Sequence, residues 1–171
     1  MAPPVDLDAL PDYVPAAFVA IEDRRFYHHP GFDPIGMSRA MASNLKAGRV
    51  VQGGSTITQQ LAKNLLLSGE RTFVRKGQEL VLALMLENLL GKRRILEIYL
   101  NNVEWGAGIF GAEAAAQHYF RKSASQLTAY EAARLAVMLP NPKRFEKLPN
   151  SSYVAGRART ITARMRSVTL P

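Results

Sequence analysis

The chain has 171 residues, 47% of them hydrophobic, and a net charge of +8. That suffices for one domain with a real core, or two small lobes around a cleft. It contains no cysteine, which excludes disulfides, thiol catalysis and cysteine-based metal sites.

The opening to Pro15 is acidic and proline-rich; it reads as a lead-in and lacks the pattern of a signal peptide. Residues 16–23 predict a helix running into the densest chemistry in the chain, Glu22-Asp23-Arg24-Arg25-Phe26-Tyr27-His28-His29, closed by the turn signal Pro30-Gly31. Asp33-Pro34 starts a second helix and Gly48 stops it. Its Met37, Met41 and Leu45 form one apolar stripe, which is either core packing or a lipid-facing lip, because methionine is soft and adaptable. Residues 50–54 form a loop, after which Ser55 or Thr56 caps a helix reaching about Leu67.

Thr72 caps a long helix to about Asn88, with Gly91 as its stop. Leu80 to Leu86 is apolar at every position, so this helix is expected to be buried nearly all round, at the centre of the domain. Residues 92–101 predict another helix with Ile95, Ile98 and Tyr99 inward. A glycine-rich turn over 105–111 leads to an alanine-rich helix over 112–120. Thr128 and Glu131 form a capping box for a helix to Leu139, which Pro140 and Pro142 end. Ser152 starts a last, basic helix. No alternating strand is predicted. No apolar run approaches the about 20 residues that a membrane span needs. From Pro140 to Pro171 there are seven Lys/Arg against one acid, Glu146, so an anionic partner is implied.

Three constellations carry chemistry. Glu22, pressed against Phe26 and Tyr27, would be partly desolvated and therefore a better base; the competing reading is a capped turn with ion pairs to Arg24 or Arg25. A His28–His29 metal site has no helical His-Glu-x-x-His companion. Gly53-Gly54-Ser55-Thr56 leads flexible backbone into a helix N-terminus, where Thr56, Gln60 and Lys63 share one polar face suited to sugar and phosphate. Around the start of the next helix, Arg71, Arg75 and Lys76 oppose the macrodipole, at roughly 0.3–1 kcal/mol each, and Glu79 lies one turn on. Cations placed there make sense around a multiply charged anion, which points to phosphate or diphosphate. Ser43-Asn44-Leu45-Lys46 fits a Ser-x-x-Lys acyl-transfer pattern, but its companion motifs are absent.

Together these stretches resemble the peptidoglycan glycosyltransferases, glycosyltransferase family 51. The carrying residues are Glu22-Asp23 through Gly31; Gly53 through Asn64; Arg75-Lys76-Gly77-Gln78-Glu79; Lys92 through Asn101; and Ala114 through Phe120 with Leu127 through Glu131. The run Gly108 to Gln117 and the ending Leu139-Pro140-Asn141-Pro142 look most like the monofunctional branch. The resemblance implies a mainly α, lysozyme-like fold, a larger head lobe and a smaller membrane-facing jaw around a cleft. It implies residues 1–15 as a lead-in after a missing membrane anchor and 16–171 as the glycosyltransferase domain.

The implied reaction is polymerisation of lipid II at the periplasmic face of the bacterial inner membrane. Glu22 would be the general base. Lys63, Arg71, Arg75 and Lys76 would neutralise the leaving diphosphate, and Arg39 would reach it. Glu79 would orient the site. Thr56, Gln60 and Asn64 would hold it together, with Asp23, Phe26, His29, Gly54 and Ser55 in support. No obligatory cofactor is implied, and no metal site is visible; a divalent cation, Mg or Mn, at the diphosphate would be an accessory. Lipid II, the growing glycan chain, the membrane surface and other cell-wall synthesis proteins are the implied partners, and nucleic acid is not among them. Gln78 stands where some members carry Lys. Two rival readings are a lysozyme-type hydrolase, which needs a carboxylic acid as proton donor, and a basic nucleic-acid or membrane binder without turnover.

Overall fold

A computed structural model describes residues 3–51, 53–68 and 72–171. The fold is mainly α, as expected. The helices are α1 (Tyr13–Glu22), α2 (Pro34–Ala47), α3 (Ile57–Leu66), α4 (Phe73–Asn102), α5 (Ala112–Phe120), α6 (Ala129–Met138), α7 (Pro142–Lys147) and α8 (Ser152–Arg164). A short antiparallel hairpin, β1 (Glu104–Gly106) with β2 (Ile109–Phe110), replaces the expected glycine-rich turn.

The centre of the domain is α1 rather than α4. Every residue from Val14 to Ala20 is buried, and a helix apolar on all faces can be satisfied only inside a core. α6 and α8 pack around it. Trp105 on β1 is fully buried, meets Phe18 edge-on at 5.4 Å, and donates its indole N–H to the Leu135 carbonyl at 2.9 Å. That bond satisfies the one polar atom a buried tryptophan carries. Helix α1 also begins three residues earlier than expected, and Leu7 and Leu10 of the lead-in belong to the core.

Two burial expectations fail for the same physical reason. In the first half of α4, Val81, Leu84 and Met85 are exposed and Ala83 alone between Leu80 and Leu86 is fully buried. On α2, Met37, Met41 and Leu45 are exposed by 42%, 64% and 77%, so the core-packing reading of that stripe is wrong. Hydropathy says that a face is apolar; it does not say that the same chain supplies what covers it. The α2 stripe lines an open groove of about 570 Å³ with Ala40, Asn44, Gly48, Arg49, Val50 and Gly54.

The local signals hold better. Thr56 and Thr128 both form complete capping boxes, with Gln59 and Glu131. Thr72 caps α4 by accepting from the Arg75 N–H. Gly48 ends α2 in the left-handed region at φ 66°. Gly91, at φ 76° and ψ 165°, breaks α4 into two segments where a stop was expected. α6 ends at Met138, ahead of Pro140, as expected, and Pro142 opens α7 at its first position. α8 starts at Ser152, as expected, with Ser151 as its cap.

Candidate active site

The C-terminus of α1 delivers Glu22 and Asp23 side by side against the N-terminal half of α3, and the two carboxylates meet opposite environments. Asp23 is buried and saturated. It accepts from His29 Nε2 at 2.8 Å through both oxygens and from the Ile57 N–H at 3.1 Å, which occupies a free donor at the start of α3. Glu22 accepts one bond, from Gln60 Nε2 at 3.1 Å on Oε2, while its Oε1 is buried with no hydrogen-bond partner. Burial pushes the Glu22 carboxyl above its ordinary value of 4.5. The Gln60 bond opposes this, the Asp23 charge adds to it, and the Lys63 ammonium pulls back.

Gln60 is oriented from behind. Buried Tyr99, on the second segment of α4, donates its hydroxyl to Gln60 Oε1 at 3.2 Å, which turns the Gln60 amide nitrogen towards Glu22. Burial, and then the Glu22 and Asp23 charges, hold the Tyr99 hydroxyl well above its ordinary value of 10.0, so it remains a donor. Tyr99 was read from the sequence only as an inward residue. Its spacing from Ile95 marks a buried face, and nothing local marks its hydroxyl as part of the site.

The turn after α1 is tied to α3. Thr56 caps α3 and donates its hydroxyl to the Gly31 carbonyl at 2.7 Å. Gly31 sits at φ 102°, and a Cβ there would meet Glu87 Cγ at 2.9 Å and the Ala83 carbonyl at 3.1 Å, so only glycine fits. Phe26 is fully buried, with Lys92 Nζ 4.5 Å from its ring centroid. Tyr27 is 49% exposed, edge-on to His28, and does not close a wall with Phe26. Neither Arg24 nor Arg25 takes Glu22 as an ion-pair partner. Arg25 pairs with Asp33 at 3.1 Å, which corrects the salt-bridged-turn reading of Glu22.

The cation group gathers around a buried acid. Glu79, 4% exposed, lies 3.5 Å from Arg75 Nε and 3.1 Å from Lys76 Nζ, and Lys76 also reaches Ser55 Oγ at 3.0 Å. Glu79 therefore fixes two cations at the start of α4 and ties them to the entry of α3. The Lys76 side chain remains 56% accessible to an anion. Lys63 is half-buried on α3, close enough to act on Glu22. Asn64 and Arg39 are exposed, on α3 and α2. Gly54 abuts Met37, where a Cβ would come within 3.3 Å of that side chain. Arg71 lies outside the described residues.

Asp23, His29 and Asp33 bring three buried ligand atoms within 4.8 Å of one another. They do not fit a divalent cation. Asp23 is filled by His29 and Ile57, Asp33 is paired with Arg25, and Lys92 Nζ stands 3.5 Å from His29 Nδ1. Mg and Mn also prefer oxygen-rich sets with room for water.

Residues 2–166 match the family described as Transglycosylase. Proteins called biosynthetic peptidoglycan transglycosylase are similar along nearly the whole chain. The one from Thiobacillus denitrificans is 53% identical over 167 residues, 98% of this chain and 72% of that protein. The one from Janthinobacterium sp. is 57% identical over 155 residues, 91% and 67%. The one from Alcanivorax borkumensis is 55% identical over 166 residues, 97% and 68%. Glu22 and the cations around Glu79 thus stand in a chain that is matched along nearly its whole length by such proteins: the chain belongs to the transglycosylase family.

Proposed function

We propose that the chain polymerises lipid II into linear glycan strands, with Glu22 as the general base. The observation that carries this reading is Glu22 Oε1: a buried carboxylate oxygen with raised basicity and no partner. It takes the proton from the 4-hydroxyl of the acceptor sugar. The freed oxygen attacks the anomeric carbon of the growing chain from the face opposite the diphosphate. The carbon–oxygen bond to diphosphate breaks, the configuration inverts, and undecaprenyl diphosphate leaves with the electron pair.

Diphosphate is a good leaving group, so charge neutralisation matters more than an added acid. Lys63, Arg71, Arg75 and Lys76 supply it, with Glu79 as the group that holds Arg75 and Lys76 in place. Arg39 approaches from α2. Thr56, Gln60 and Asn64 keep α3 in register with the donor and acceptor sugars, and Asp23, Phe26, His29, Gly54 and Ser55 brace it. The exposed Met37, Met41 and Leu45 make α2 the jaw surface that meets the membrane, at the periplasmic face of the inner membrane. Among the described residues no helix is long and apolar enough to cross a membrane. Other cell-wall synthesis proteins are partners of this reading.

The test is direct. Supplied with lipid II in detergent, the protein gives glycan polymer and Glu22→Gln gives none. Polymer from that variant removes Glu22 as the base. Release of monomeric saccharide without polymer would favour the hydrolase reading.

A further inference from the structure

Glu87 and Lys92 form an ion pair at 2.6 Å, both side chains largely buried at 10% and 15% exposure, with no role in the chemistry so far described. In an unbroken helix, residues five apart point well away from each other. The left-handed turn at Gly91 brings them together. Glu87 Oε1 also accepts from the buried Thr58 hydroxyl of α3 at 2.8 Å, and the Glu87 stem packs under Gly31. Lys92 in turn sits over the Phe26 ring and 3.5 Å from His29 Nδ1.

His29 Nδ1 already accepts from the Gly31 N–H at 3.0 Å. Two donors, Gly31 and Lys92, therefore face Nδ1, which leaves the ring proton on Nε2, where it is donated to Asp23. We propose that the Glu87–Lys92 pair is a positioning device that fixes the Nε2–H tautomer of His29 and thereby holds the Asp23 carboxylate in place beside Glu22. The charged groups around this point are Asp23 and His29 after α1, Arg25 and Asp33 at the entry to α2, Lys63 on α3, and Glu87, Lys92 and Tyr99 on α4. Of the cations near it, Arg25 is paired with Asp33 and Lys92 with Glu87, and Lys63 faces Glu22.

The inference rests on Glu22 as the base for its kinetic consequence, but not for its structural one. The variant that tests it is Glu87→Gln with Lys92→Met. It removes both charges together, leaves an acceptor for Thr58, and avoids stranding one buried charge. In the parent protein, nitrogen NMR of labelled histidine should show His29 as the Nε2–H tautomer. In the double variant that signature should give way to a tautomer mixture. kcat on lipid II should fall on the order of 10- to 100-fold with KM within about twofold, and the acid limb of the pH–rate profile should move to lower pH. A His29 signature unchanged in the double variant, with only thermal stability lost, overturns the proposal. So does a doubly protonated His29 in the parent. Activity surviving Glu22→Gln would sink the base assignment and leave the histidine result standing.

Discussion

Replacing Glu22 by Gln separates the cost of burying this carboxylate from its use. The amide keeps the acceptor for Gln60 Nε2, so the contact at 3.1 Å survives in shape. What changes is Oε1, a buried, unpartnered oxygen of an ionised group. Leaving such an acceptor unpaired costs about 1–3 kcal/mol. The amide nitrogen that replaces it is also short of a partner but uncharged, so the relief is about 1 kcal/mol, near the low end. For a domain of this size that is a rise in Tm of about 2–4 °C. The sign with pH follows from linkage. Burial raises the Glu22 pKa, so the folded state holds this proton more tightly than the unfolded chain does. The stabilisation is fully present below the ordinary Glu value near 4.5 and is lost as pH rises through the folded value. Gln does not titrate, so the variant should match the parent in acid and pull ahead towards neutrality. Calorimetry at a series of pH values measures this, beside a polymerisation assay in which loss of the base, worth about 10²–10⁴ in rate, takes polymer below detection. A variant less stable than the parent at neutral pH, or a Tm difference that ignores pH, refutes the reasoning even if activity is lost.

Glu79→Gln removes the acid between Arg75 and Lys76 and should cut polymer yield strongly while circular dichroism stays helical; full activity would make Glu79 a structural partner only. Thr56→Val deletes the α3 cap and strands the Gly31 carbonyl, at about 1–2 kcal/mol for the cap and about 1–3 kcal/mol for the acceptor. A drop in Tm of under 2 °C would show that neither bond contributes. Ser at both Met37 and Met41 should weaken flotation with anionic liposomes and leave the unfolding free energy within about 0.5 kcal/mol of the parent, because both side chains are exposed. Unchanged flotation would remove α2 as the membrane surface.

The sequence was most informative where the cause is local. A threonine three residues before Gln59 or Glu131, a proline at the first helical position and a glycine at a left-handed turn act through a few neighbouring atoms, and those atoms stand where expected. It failed where the cause lies elsewhere in the chain. The apolar run of α4 has no partner over Val81 and Met85, whereas α1 is enclosed by α6 and α8. The site divides along the same line. Glu22, Gln60 and the cations near Glu79 could be named as candidates from residue type and spacing. Tyr99, Glu87 and Lys92 reach the site from about forty to seventy residues further on through a helix break that periodicity alone cannot aim.

The lead-in to α1 is stitched to the far end of α4. Asn101 takes both backbone groups of Val5, at 2.7 and 2.9 Å, and Glu97 accepts from the Leu7 N–H at 2.8 Å. These contacts close loops of 96 and 90 residues, whose length-dependent entropy is about 4 kcal/mol. The lead-in, although it precedes α1 in the chain, is therefore among the last segments to settle. Until residue 101 has emerged, Leu7 and Leu10 have no wall to lie against, and a chain stalled before that point carries them bare. The order of assembly runs from the middle outwards, and the lead-in closes the domain.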